Sequence, residues 1–272
     1  MKRYLKHRRI RQGLIIAIGS IVALYGVPLA LFQPSHDRDW ELGQEALPYI
    51  AMDDTGTITI TKFRNFDWRK EGAVSPRYES RTFHSRDLNR VDVFISHFDD
   101  FEGLAHIFLS FGFANSQHLV VSLETRREND EAFSPSRGIF RQFEIIYVVG
   151  SEEDIVGLRT DVREGERVYL YPTKATEKQS RDLFVAIAND INDVHGKPRI
   201  YNTLTRNCTN ELARRVEDIS TVRFPITWKT ILPGYFDEVL YRIAIIENEA
   251  PFDKVKAAHL VDNQAVDRHQ PK

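Results

Sequence analysis

Nucleophilic catalysis by cysteine needs a thiol, a base to take its proton, and surroundings that favour the thiolate. Cys208, the sole cysteine of the chain, supplies the first. It lies in Tyr201-Asn202-Thr203-Leu204-Thr205-Arg206-Asn207-Cys208-Thr209-Asn210-Glu211-Leu212, a polar turn that opens a short helix. Asn207 is a natural cap, and Leu212, Val216 and Ile219 then fall on one helical face. A thiol in a first helical turn feels the positive end of the backbone dipole, which favours the thiolate. With no second cysteine, an intrachain disulfide and a Cys-cluster metal site are excluded. Two uses remain: a reactive nucleophile, or a small residue packed inertly in the core.

A base must come from histidine. His106 and His118 each open a strand of a hairpin, and such starts lie at opposite ends of it. The inward face of the first strand presents His106 to a helix packed on the sheet. His84, His97 and His195 lie in polar stretches and read as solvated. No H-x-x-x-H or H-E-x-x-H spacing occurs, so no metal and no cofactor is expected. Serine catalysis has no support either, for want of G-x-S-x-G. Asn207 and Asn202 each carry two readings, as donors to an oxyanion or as helix cap and turn former.

The elements that position these residues are strands first and helices after. Val91–Phe98, His106–Phe113 and His118–Glu124 alternate apolar with polar residues, the last two joined by Ala114–Gln117. Phe143–Val149 and Val168–Tyr171 continue the pattern. Thr176, with Gln179 three residues on, opens a helix whose buried face is Leu183, Ile187, Ile191 and Val194. Pro233-Gly234 precedes a further helix over residues 235–247. The expected class is α+β, an antiparallel sheet packed with helices. Phe224–Leu232, with Trp228, either borders a cleft or packs the core.

Residues 1–12 carry six basic and no acidic side chains, and residues 13–32 are uncharged. That is the length and flank of one transmembrane helix with its amino terminus in the cytoplasm, an inner-membrane anchor. The span is longer than a signal-peptide core, and Pro28-Leu29-Ala30 matches a cleavage site poorly. A tether over 33–56, a periplasmic domain over 57–250 and a loosely ordered tail over 251–272 are expected to follow. The chain carries −2 and the flank +6, so residues 33–272 carry about −8. An acidic exported domain is a poor partner for nucleic acid.

Several blocks together resemble a known family. They include Arg64-Asn65-Phe66-Asp67-Trp68-Arg69, Val91–Ser96, Ala105-His106-Ile107-Phe108-Leu109-Ser110-Phe111-Gly112-Phe113 and Val121-Ser122-Leu123-Glu124-Thr125-Arg126. Phe143–Val149, Glu153-Asp154, Leu158-Arg159-Thr160, Val168–Tyr171 and Tyr201–Thr209 follow in order. The chain resembles the DUF4105 family, the Lnb N-terminal periplasmic domain. The resemblance implies a permuted papain-like fold (NlpC/P60-type), in which a strand histidine precedes the helix cysteine. It also implies a relation to lipoprotein N-acylation. On that pattern His106 matches the strand histidine and Cys208 the helix cysteine. Glu124, in the S-x-E-x-R block, ranks above His118 for the third position. The expectation is a cysteine acyltransferase or amidase working through a thioester, with membrane lipid and a lipoprotein or cell-wall peptide as partners. A cell-wall peptidase and a non-catalytic binding scaffold are the alternatives.

Overall fold

Strand patterning dominates the middle of the chain, and the computed structural model, which describes residues 2–68 and 74–261, gathers it into one eight-stranded sheet and a separate two-stranded one. In order come α1 (Lys2–Leu31), β1 (Tyr49–Met52), β2 (Thr57–Arg64), β3 (Asp67–Trp68), β4 (Val74–Ser75), β5 (Tyr78–His84) and β6 (Leu88–His97). Next are β7 (Ala105–Phe113), β8 (His118–Arg126), α2 (Pro135–Ile139), β9 (Glu144–Gly150), α3 (Glu152–Ile155) and β10 (Arg167–Pro172). The last part is helical: α4 (Glu177–Gly196), α5 (Cys208–Ile219), α6 (Trp228–Ile231), α7 (Phe236–Arg242) and α8 (Phe252–Ala258).

The sheet runs β1-β2-β9-β8-β7-β6-β10, and β5 also pairs with β2. Neighbours from β9 to β10 are antiparallel, but β2 meets β9 in parallel at Arg64↔Gly150. The sheet is therefore mixed, which corrects the antiparallel one expected. Parallel neighbours need a long crossover, and the chain between Arg64 and Glu144 provides it. Gly150 permits the approach, because a Cβ there would strike the Arg64 carbonyl.

Among the described residues no helix is long and apolar enough to cross a membrane, which corrects the anchor expected over residues 13–32. α1 is helical there, but its described side chains begin at Ile10, include Arg11 and Gln12, and run unbroken only to Leu24. The side chains of residues 2–9, with most of the basic flank, and of 25 and 27–31 lie outside the described residues.

Alternation splits the sheet into two faces. Odd residues of β7 (Ile107, Leu109, Phe111) join the core under α4 and α5, with Phe184, Ile187 and Leu212. Even residues face the other way, where Phe108 packs with Phe94, Val120, Val148, Ile155 and Val156. The capping box of Thr176 and Gln179 starts α4, whose Leu183, Ile187, Ile191 and Val194 are buried. Each such side chain contributes about 1.5–3 kcal/mol by leaving water.

Three segments differ from their sequence reading. The helix expected over 235–247 stops at Arg242, just before Ala244 adopts a left-handed φ of 58°. Residues 33–56, read as a tether, contribute β1 to the sheet and bury Trp40, Gln44 and Ile50. The stretch read as a tail forms α8 and buries Val255; residues 262–272 lie outside the described residues.

Candidate active site

The site begins with a fork in the sheet. β6 pairs with β7 down to His97↔Ala105, and β8 pairs with β9 down to Arg126↔Glu144. Between β7 and β8, however, the ladder stops at Phe108↔Ser122. The strands part there, and Ala105 and His106 on one side face Leu123, Glu124 and Thr125 on the other across a cavity of about 540 Å³. Cys208 and Asn207 line the same cavity. Phe98, Leu104, Phe133, Leu204, Ile231 and Leu232 give it an apolar wall.

Cys208 is the first residue of α5 and is only 6% exposed. Asn207 precedes it as the cap: Oδ1 accepts from the Asn210 amide at 2.8 Å, and Nδ2 donates to Thr203 O at 2.7 Å. Both ends of its amide are thus engaged in shaping the turn. The Asn210 amide is capped and the Glu211 amide bonds Asn207 O, which leaves the Cys208 and Thr209 amides as the helix-start donors nearest the sulfur. Burial pushes the Cys208 thiol above its usual range. Hydrogen bonds from the Ile107 amide and from Thr209 oppose that push without reversing it. The thiol form therefore prevails at neutral pH. Asn207→Ala is expected to cost about 1 kcal/mol of stability, read in a denaturant titration, because one orphan amide loses its acceptor.

His106 projects from the opposite face. Its ring stacks on Phe108 with centroids 5.6 Å apart, away from α4 and α5, where the sequence had suggested it would point. Strand alternation decides this, since Ile107 takes the helical face. His106 Nε2 lies 2.7 Å from Ser122 Oγ, and that hydroxyl donates to Glu124 Oε1 at 3.0 Å. The direct separation of Nε2 and Glu124 Oε1 is 4.0 Å. Arg159 Nη2 donates to the same Glu124 oxygen at 3.1 Å, and the guanidinium lies over the Phe108 ring. Arg159 Nη1 donates to Ile155 O at 2.6 Å, which ties it to its own turn. Burial, and then the Arg159 charge, lower the His106 pKa to about 3 against the pull of Glu124. Burial works against the Glu124 carboxylate as well, but Arg159 and His106 outweigh it and hold the carboxyl well below its usual range.

These shifts fix the sign of an acid response. The fold favours a neutral His106, so that contribution is complete above pH 6.5 and is lost as pH falls toward about 3. Glu124, favoured as the anion, adds loss in the same direction. Thermal melts are expected to fall below pH 6.5, and His106→Gln to flatten the slope between pH 6.5 and 4. Equal slopes for the two proteins would contradict this account.

The fork thus gathers Cys208, His106, Glu124 and Asn207. His118 is elsewhere: Gly112↔His118 is the far end of the β7–β8 ladder, about 13 Å along β8 from Ser122 at 3.3 Å per residue. There His118 Nδ1 is 3.3 Å from Glu152 Oε1, and Nε2 is 3.3 Å from Arg90. Asn202 also stands apart. Its Oδ1 accepts from the Leu204 and Thr205 amides and its Nδ2 donates to Ile139 O, a turn-forming pattern. His97, read as solvated, is fully buried edge-on to Tyr169. Sequence reasoning did not single out Ser122 and Arg159 as site residues, although both lie inside blocks that carried the family resemblance.

A family model described as the Lnb N-terminal periplasmic domain matches residues 75–234, which hold the fork, Ser122, Arg159 and the start of α5. The chain belongs to that family. The Lnb domain here is thus a periplasmic one by family, an α+β unit built on a mixed sheet. No curated protein and no solved structure matches the chain.

Proposed function

We propose that this Lnb-family domain is a cysteine-dependent acyltransferase or amidase acting at the fork. The observation that carries the reading is a single cavity lined by both Cys208, at a helix start, and His106, on a hydrogen-bonded carboxylate network. His106, held neutral by burial in the resting site, takes the proton of the Cys208 thiol in an uphill step that completes only as the sulfur bonds an acyl carbonyl. The Cys208 and Thr209 amides receive the resulting oxyanion. Collapse forms the thioester and breaks the C–O or C–N bond, and the leaving group takes the proton back from His106. An amine or water then attacks the thioester, and its proton returns through His106 to the sulfur. The order of strand histidine before helix cysteine is that of permuted papain-like enzymes. The apolar wall suits a hydrocarbon acyl group, in keeping with lipoprotein N-acylation rather than cell-wall peptide cleavage.

Mass spectrometry after incubation with an activated acyl ester tests it. An acyl mass on Cys208 that hydroxylamine removes and that His106→Ala suppresses is the expected result. A non-catalytic binding role is favoured by a different observation: Cys208 is buried as a thiol, and it and His106 belong to opposite faces of the sheet. On that reading Cys208 alkylates slowly, at a rate that His106→Ala leaves unchanged.

A further inference from the structure

The gap between His106 and Glu124 is too long for a direct hydrogen bond, and one hydroxyl fills it. Ser122 Oγ is 2.7 Å from the ring nitrogen and 3.0 Å from the carboxylate, against 4.0 Å between the two groups it separates. Ser122 is fully buried, so water does not replace it in either bond. Its single proton goes to Glu124, an acceptor-only anion, and its oxygen is then left to accept. The partner on that side must donate, which requires hydrogen on His106 Nε2. Arg159 completes the chain from behind by bonding the same Glu124 oxygen. The divergence of the strands explains the need for the bridge. Ser122 belongs to the last closed rung, whereas His106 and Glu124 lie just beyond it, on strands already separating.

We propose that Ser122 is a positioning residue that transmits the hold of Glu124 to the imidazole, fixing the Nε2–H tautomer and leaving Nδ1 as the basic nitrogen. This rests on the reading of His106 as the base. It is tested on the full chain carrying ¹⁵N-labelled histidine, by NMR near neutral pH. The expected result is one tautomer with the proton on Nε2, maintained by Ser122→Thr and replaced by a mixture in Ser122→Ala. In parallel, Ser122→Ala is expected to slow acylation of Cys208 by p-nitrophenyl butyrate by about 10–100-fold, with KM little changed. Ser122→Thr should restore most of the rate. A wild-type ring protonated on Nδ1, or a tautomer unchanged in Ser122→Ala, overturns the assignment. Should the wild-type protein take no acyl group, the catalytic reading falls, while the tautomer measurement still decides the role of Ser122.

Discussion

Cys208→Ala is expected to abolish acyl capture, lowering turnover of an activated ester by at least about 10⁴-fold, since removing a nucleophile removes the covalent route entirely. The change should leave the fold intact. One buried sulfur is lost beside Leu212 and Ile107, a deletion that costs about 1 kcal/mol on the scale of large-to-small core changes. A melting curve within a few degrees of the wild type, together with a dead enzyme, separates chemistry from folding. His106→Ala should fall less far, by about 10²–10⁴-fold, because proton transfer to solvent replaces the base in part. Retained turnover in a folded Cys208→Ala protein would end the thioester mechanism.

Asp154→Ala is expected to destabilise the domain by about 3–5 kcal/mol, the cost of leaving a buried charge without its partner. Asp154 is fully buried and accepts four hydrogen bonds: from Arg64 Nε and Nη2, each at 2.9 Å, from the Phe66 amide at 2.9 Å and from Trp68 Nε1 at 2.8 Å. Removing it strands the Arg64 guanidinium in the interior. For a domain of this size the loss amounts to roughly 6–20 °C in Tm. A double variant, Arg64→Met with Asp154→Leu, should recover much of it because no charge is then left alone. The exposed pair Lys178–Asp182 provides the contrast, since its loss should cost less than about 0.5 kcal/mol. The effect should also reach the site. Asp154 anchors α3, and the turn that follows α3 carries Arg159 to Glu124. Partial loss of activity below the unfolding transition is therefore expected with Asp154→Ala and not with the surface pair.

Much of this arrangement is local and was legible in the residues. Thr176 with Gln179, Asn207 before Cys208, and the alternation in β6 through β10 each depend on neighbours a few positions away, as capping and strand period do. The order of blocks from Arg64 to Thr209 carried the family, and the match over residues 75–234 covers all of them but the first, Arg64–Arg69. β1, β2 and β5 were less readable. β1 is short, β2 meets β5 with a register shift between Ile60 and Phe63, and β9, the other neighbour of β2 in the sheet, lies far along the chain.

Periodicity and caps determined from sequence alone that the central strands β6 to β10 precede α4 and α5 and that Cys208 heads the second of those helices. Only the tertiary structure decided which residues meet. The parting of β7 from β8 is a property of two ladders at once, and it places His106, Glu124 and Cys208 around one cavity while leaving His118 at the other end. It also set the protonation states, since burial together with Arg159 moves His106 and Glu124. Desolvation and Coulomb forces act through space, between groups that the linear order keeps apart.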